Sequence, residues 1–155
     1  MAVDVDCRQP GCDPACVPFA ALADEVLRAE LGGDAQVSVV LTSDAEIAAL
    51  NAQWLGHEGP TDVISFPQHD LRPGAGAGAV GTLLGDIVIS VDSAAAQAAD
   101  YPGWTLARET ALLFVHGLLH LCGYDDQTPT DRAHMQRRED EVLVACGLPP
   151  APRDG

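Results

Sequence analysis

Two histidines, His116 and His120, stand four residues apart in the run His116-Gly117-Leu118-Leu119-His120. On a helix that spacing places both imidazoles on one face, a single turn apart, where they can share one tetrahedral ion. Gly123 offers a helix stop, because a positive φ costs it little, and Asp125 or Asp126 just beyond could fold back as a third ligand. Three protein ligands would leave one tetrahedral position open, which marks a catalytic rather than a structural site. A buried His pair can instead simply bond to carbonyl groups. Two imidazoles in so apolar a run, followed by a glycine and carboxylates, favour the metal. Position 117 is Gly, where the H-E-x-x-H helix of a zinc peptidase carries its general base. Peptide hydrolysis by that route lacks its base. Phosphodiester cleavage suffers less, since a metal ion can polarise a phosphate and acidify water without one.

The elements that must position these residues can be read from periodicity. Thr105 to Leu121 is apolar on nearly every face and belongs in the middle of the fold. Val17 to Leu31 reads as an amphipathic helix closed by Gly32-Gly33. Gln36 to Thr42 is a β-branched alternating strand, and Ser43-Asp44-Ala45-Glu46 is a capping box that opens a helix through about Trp54. Pro60 to Phe66 and Thr82 to Val91 read as strands, joined by a Gly-rich stretch. Gly76 to Gly81 matches G-x-G-x-x-G, but no strand precedes it and no helix follows, so it reads as a flexible hairpin connection. Ser93 to Ala99 and about Thr130 to Cys146 complete the helices. The expected class is α+β: a single domain over residues 1–155, with a small mixed sheet packed against helices. Residues 1–16 and 150–155 are expected to be loosely ordered.

The chain has 155 residues, 8 basic and 23 acidic, for a formal net charge of −15; every basic residue is Arg. This acidity argues against a module that grips duplex nucleic acid through a broad basic face. Residues 101–155 carry only −3 of that charge, so an anion would meet least repulsion there. There is no 18-residue apolar run, and the N-terminus lacks the basic start and apolar stretch of a secretory signal, so a cytoplasmic location is expected. Cys7, Cys12 and Cys16 lack the x2 spacing of a structural zinc site and read as reduced thiols.

His116-Gly-Leu-Leu-His-Leu-Cys-Gly-Tyr-Asp125 resembles the signature of the YbeY-type endoribonucleases, H-G-x-L-H-L-x-G-Y-D-H. Leu50-Asn51, Pro60 to Pro67 and Leu84-Gly85-Asp86-Ile87 follow the family's order, as do Met135, Glu139 and Cys146 to Pro149, so the resemblance spans about residues 36–149. It implies an α+β fold, a zinc-like ion and cleavage of single-stranded RNA. It also implies work in small-subunit ribosomal RNA maturation and ribosome quality control, with the ribosome or a ribosome-associated protein as partner. The implied ligands are His116, His120 and Asp126, the last standing where the family has its third His. A carboxylate can still bind zinc, at ~2.0–2.2 Å, but weakens the ion as a Lewis acid and admits other divalent metals.

A second departure is Leu55, where the family usually has Arg after an aromatic residue. That Arg is a natural phosphate clamp, and Leu55 cannot replace it. Arg108, the candidate substrate-binding residue, or Arg132, Arg137 and Arg138 on the last helix could substitute, against the commoner role of such residues on a solvated helix face. Thr61, Asp62 and Ser65 are expected to cap a strand or line the site, and Asp86 to orient a ligating His. His57, His69 and His134 read as surface imidazoles, and Trp54 and Trp104 as packing residues. The charge-stabilising group is left unassigned. Two other functions fit less well: a metal-dependent hydrolase of peptides or small substrates, and a ribosome-binding protein weakened in catalysis.

Overall fold

The computed structural model describes residues 3–11 and 13–153. Four strands and five α-helices follow one another as β1 (Val3–Cys7), α1 (Phe19–Leu31), β2 (Gln36–Thr42), α2 (Asp44–Leu50), β3 (Val63–Pro67), β4 (Leu83–Ser90), α3 (Val91–Ala99), α4 (Leu106–Leu121) and α5 (Pro129–Ala145). The sheet order is β1-β2-β4-β3, with β1, β2 and β4 parallel and β3 antiparallel to β4. This is the expected α+β class with a mixed sheet. Residues 3–7, expected to be loosely ordered, instead form an edge strand: Val3 and Val5 alternate with Asp4 and Asp6, so one face can be buried while the other stays wet. Residues 151–153 are also tied down, through Asp140.

Strand parity decides which side chains can meet α4. Val37, Val39, Leu41, Ile87 and Ile89 point into the main core with α1 and α4, while Val40, Ile64 and Val88 pack with Ile47 of α2 on the opposite face. β4 passes into α3 with no linker, Ser90 capping the helix by accepting from the Ser93 N–H (3.1 Å). α2 is capped by Ser43 and runs on as one π-helical turn, Asn51–Leu55, ended by Gly56 at φ 68°. The Gly-rich connection between β3 and β4 is a hairpin link, as expected, but it is held at several points. His69 Nε2 meets Thr82 Oγ1 (2.9 Å), and the Gly76 N–H donates to the Glu30 carbonyl (3.3 Å).

Candidate metal centre

α4 is the helix the sequence describes: Thr105 caps it by accepting from the Arg108 N–H (3.1 Å), and its apolar residues are buried against α1, α3, α5 and β3. Gly117 lets it lie close to the sheet. A Cβ there would fall 2.9 Å from Ile87 Cγ2 and 3.1 Å from Ser65 Oγ, and Ser65 Oγ donates to the Gly117 carbonyl (3.0 Å). The position of a peptidase base is thus turned to the sheet and filled by its neighbours. α4 ends at Leu121, and Gly123 takes φ 99°, which sends the chain back over the His pair. The turn is pinned from outside: a Cβ at Gly123 would collide with the Leu71 carbonyl and lie 2.8 Å from Arg72 Cα.

The fold-back brings His116, His120 and Asp126 together. His116 Nε2 and His120 Nε2 are 3.1 Å apart, and Asp126 Oδ2 lies 3.7 and 3.6 Å from them. Three donors bound ~2.0–2.2 Å from one tetrahedral ion stand roughly 3.3–3.6 Å from each other, so these atoms need only small adjustments to hold one. The opposite ring nitrogens fix the tautomers. His116 Nδ1 lies 2.6 Å from Glu139 Oε2, and His120 Nδ1 lies 3.0 Å from the Tyr124 carbonyl; both acceptors require an N–H, which leaves each Nε2 with a lone pair. Two lone pairs and a carboxylate oxygen thus face one another, a donor set that suits a divalent cation.

Glu139, on α5, is buried, and its other oxygen accepts from Arg153 Nη2 (2.9 Å). Arg153 also pairs with Asp140 (2.9 Å), so it fixes the carboxylate that orients His116. Burial pushes the His116 imidazolium down, but the hydrogen bond and charge of Glu139, with the charges of Asp126 and Asp62, more than offset it and raise its pKa above 6.5. Asp86, expected to orient a ligating His, does not do so. It shares the parity of Val88 and lies on the face away from α4, while Glu139 takes that role. The sequence held one sign of Glu139: a carboxylate among the buried positions of α5, beside Met135 and Val142.

A cleft of about 680 Å³ opens over the three ligand atoms. Thr61, Asp62 and Ser65 line it as expected, and Asp62 is held by Gln97 Nε2 (3.3 Å) and lies beside Thr61 Oγ1 (3.4 Å). Arg108 does not line it; its guanidinium turns back to the Gly103 carbonyl (2.7 Å) at the start of the helix. Among the described residues no other Arg lines the cleft, so Leu55, which does, has no guanidinium in its place. His57 is exposed, as expected of a surface imidazole, and stands at the cleft wall. His69 bonds Thr82, and the His134 ring lies tilted against Tyr124 with centroids 5.2 Å apart. Trp104 packs as expected, its indole N–H donating to Glu109 (2.8 Å), whereas Trp54 is 64% exposed. Cys12 lies outside the described residues, and among those described no cysteine joins a cluster able to hold a metal. Burial pushes the Cys122 thiol up to about 12, which leaves it inert.

The profile of the family described as Endoribonuclease YbeY matches residues 17–147. A protein named Endoribonuclease YbeY from Pelotomaculum thermopropionicum is 50% identical over 127 residues, 81% of this chain and 82% of its own length. Another of that name, from Moorella thermoacetica, is 46% identical over 121 residues, covering 76% and 77%. The solution structure of TM1509 from Thermotoga maritima is similar with a TM-score of 0.62, covering 94% of this chain and 91% of that one at 24% identity, which speaks for the fold alone.

Proposed function

Because this chain belongs to the YbeY endoribonuclease family, we propose that it is a metal-dependent hydrolase cutting phosphodiester bonds within single-stranded RNA. The observation that carries the reading is the convergence of His116 Nε2, His120 Nε2 and Asp126 Oδ2 under an open cleft. We place its work in small-subunit ribosomal RNA maturation and ribosome quality control, in the cytoplasm and beside the ribosome. The relatives' name supports RNA as substrate, and among the described residues no helix is long and apolar enough to cross a membrane.

The three ligands would hold zinc or another divalent ion, which supplies a Lewis acid for a phosphate oxygen and lowers the pKa of water toward ~7. The chain's own residues prepare that site. Glu139 and the Tyr124 carbonyl keep both imidazoles in the binding tautomer, so no proton has to leave Nε2 when the ion enters. Ser65 gives its proton to Gly117 and can only accept bonds on the cleft side. Asp62 and Asp126 make the cleft acidic, so an RNA phosphate is drawn in only where the ion offsets them. Metal content and cleavage of a single-stranded RNA, measured together in the wild type and in His116→Ala, test the reading. Both are expected to fall in the variant. Full metal occupancy in His116→Ala, or a metal-loaded wild type that leaves RNA intact, would refute it.

A further inference from the structure

β3 is the outermost strand on its side of the sheet, so one of its edges has no neighbouring strand. The Ser90 N–H donates to the Asp62 carbonyl (2.9 Å) and the Gln68 N–H to the Leu84 carbonyl (3.0 Å). Together with the register Ile64↔Val88 and Phe66↔Asp86, these bonds mark the even-numbered residues as the ones facing β4. The N–H and C=O groups of Val63 and Ser65, and the C=O of Pro67, therefore turn outward. They meet no protein partner among the described residues, and all three residues line the metal cleft.

An RNA strand offers this cleft phosphates and bases. No Arg lines the wall, the chain contains no Lys, and Asp62 and Asp126 repel phosphate. Alternating donors and acceptors beside the half-exposed Leu55 match the edge and face of an unpaired base instead. We propose that the outer edge of β3, with Leu55, is a binding site for an unpaired nucleobase, so that substrate is held by a base and by one phosphate at the ion. This rests on the reading of the chain as a nuclease for single strands and gives it a cause, since a paired base has its edge already occupied. A strand edge can also receive an extended peptide. Here only Val63 and Ser65 offer complete N–H and C=O pairs, and Pro67 closes the edge without an N–H, so a peptide would gain at most a short ladder and is kept as a competing outcome of the test.

The test follows the amide resonances of Val63 and Ser65 in the full, Zn2+-loaded chain during titration with the four nucleosides, with base-free ribose 5-phosphate and with an extended hexapeptide. At least one nucleoside is expected to shift both amides saturably while the other two probes do not. Val63→Pro removes one outward donor at an edge position where proline is tolerated, and should weaken that nucleoside about fivefold or more; Val63→Thr should not. Binding of a short single-stranded RNA should fall with salt at a log–log slope of about −0.7, the value for one neutralised phosphate, and Leu55→Arg should steepen it by about another 0.7. Amides moved by ribose phosphate or peptide but by no nucleoside, or a wild-type slope of several phosphates, would overturn the proposal. RNA cleaved while nucleosides leave the amides still would sink the base site and spare the nuclease. Nucleosides bound while RNA stays intact with every divalent ion would do the reverse.

Discussion

At the residue scale, the candidate metal site depends on side chains beyond its three ligand atoms. His116 is aimed by Glu139, and Glu139 is held by Arg153, so a guanidinium two contacts away sets the geometry of a ligand. Arg153→Ala should weaken zinc binding about tenfold, read from a competitive chelator titration, with little change in thermal midpoint. An affinity equal to the wild type would show that Glu139 holds its position unaided. Protons compete for the same nitrogens. Because the pKa of His116 lies above 6.5 in the folded chain, zinc affinity should begin to fall on acidification above that value, earlier than for an ordinary imidazole. The His pair was legible in the sequence because its spacing is local. Glu139 and Arg153 were not, since they act across 23 and then 14 residues, and no periodicity records a contact at that distance.

At the element scale, the approach of α4 to the sheet is set at Gly117. Gly117→Ala would press a methyl group on Ile87 and Ser65, an overpacking that costs about 1–3 kcal/mol and tilts the helix that carries both histidines. Chemical denaturation should show the loss, and zinc affinity should drop with it; a variant as stable as the wild type would mean that the interface gives way easily. The long elements were readable from their periods. α4 begins one residue later than expected and ends where expected, α5 is displaced by one residue at both ends, and β2 matches. The misreadings share a cause. β1 is only five residues with two aspartates, and its alternation passes for a polar start until β2 lies beside it. β4 is buried on both faces, so its sequence does not say which way Asp86 points.

Across the whole molecule, one buried carboxyl, Glu109, ties stability to pH. Burial raises the pKa of Glu109 above 4.5, more than the Trp104 hydrogen bond lowers it, and the charges of Asp62 and Glu139 add to the rise. The folded chain then binds this proton more tightly than the unfolded one, so the contribution of Glu109 favours the fold below 4.5 and is lost as pH rises through the elevated value. Glu109→Gln should remove that decline, giving a flatter dependence of thermal midpoint on pH just above 4.5; an unchanged curve would contradict the assignment. The same connectedness governs where the chain can be rebuilt. A long surface loop is ordinarily the safest place to graft a reporter peptide, yet the one joining β3 to β4 leans on the turn that carries a ligand, with Leu71 and Arg72 against Gly123. An insertion at Gly78, which is exposed with open space around its Cα, should leave metal uptake intact, whereas one beside Leu71 should release Asp126 and turn a neutral-looking graft into an inactivating one.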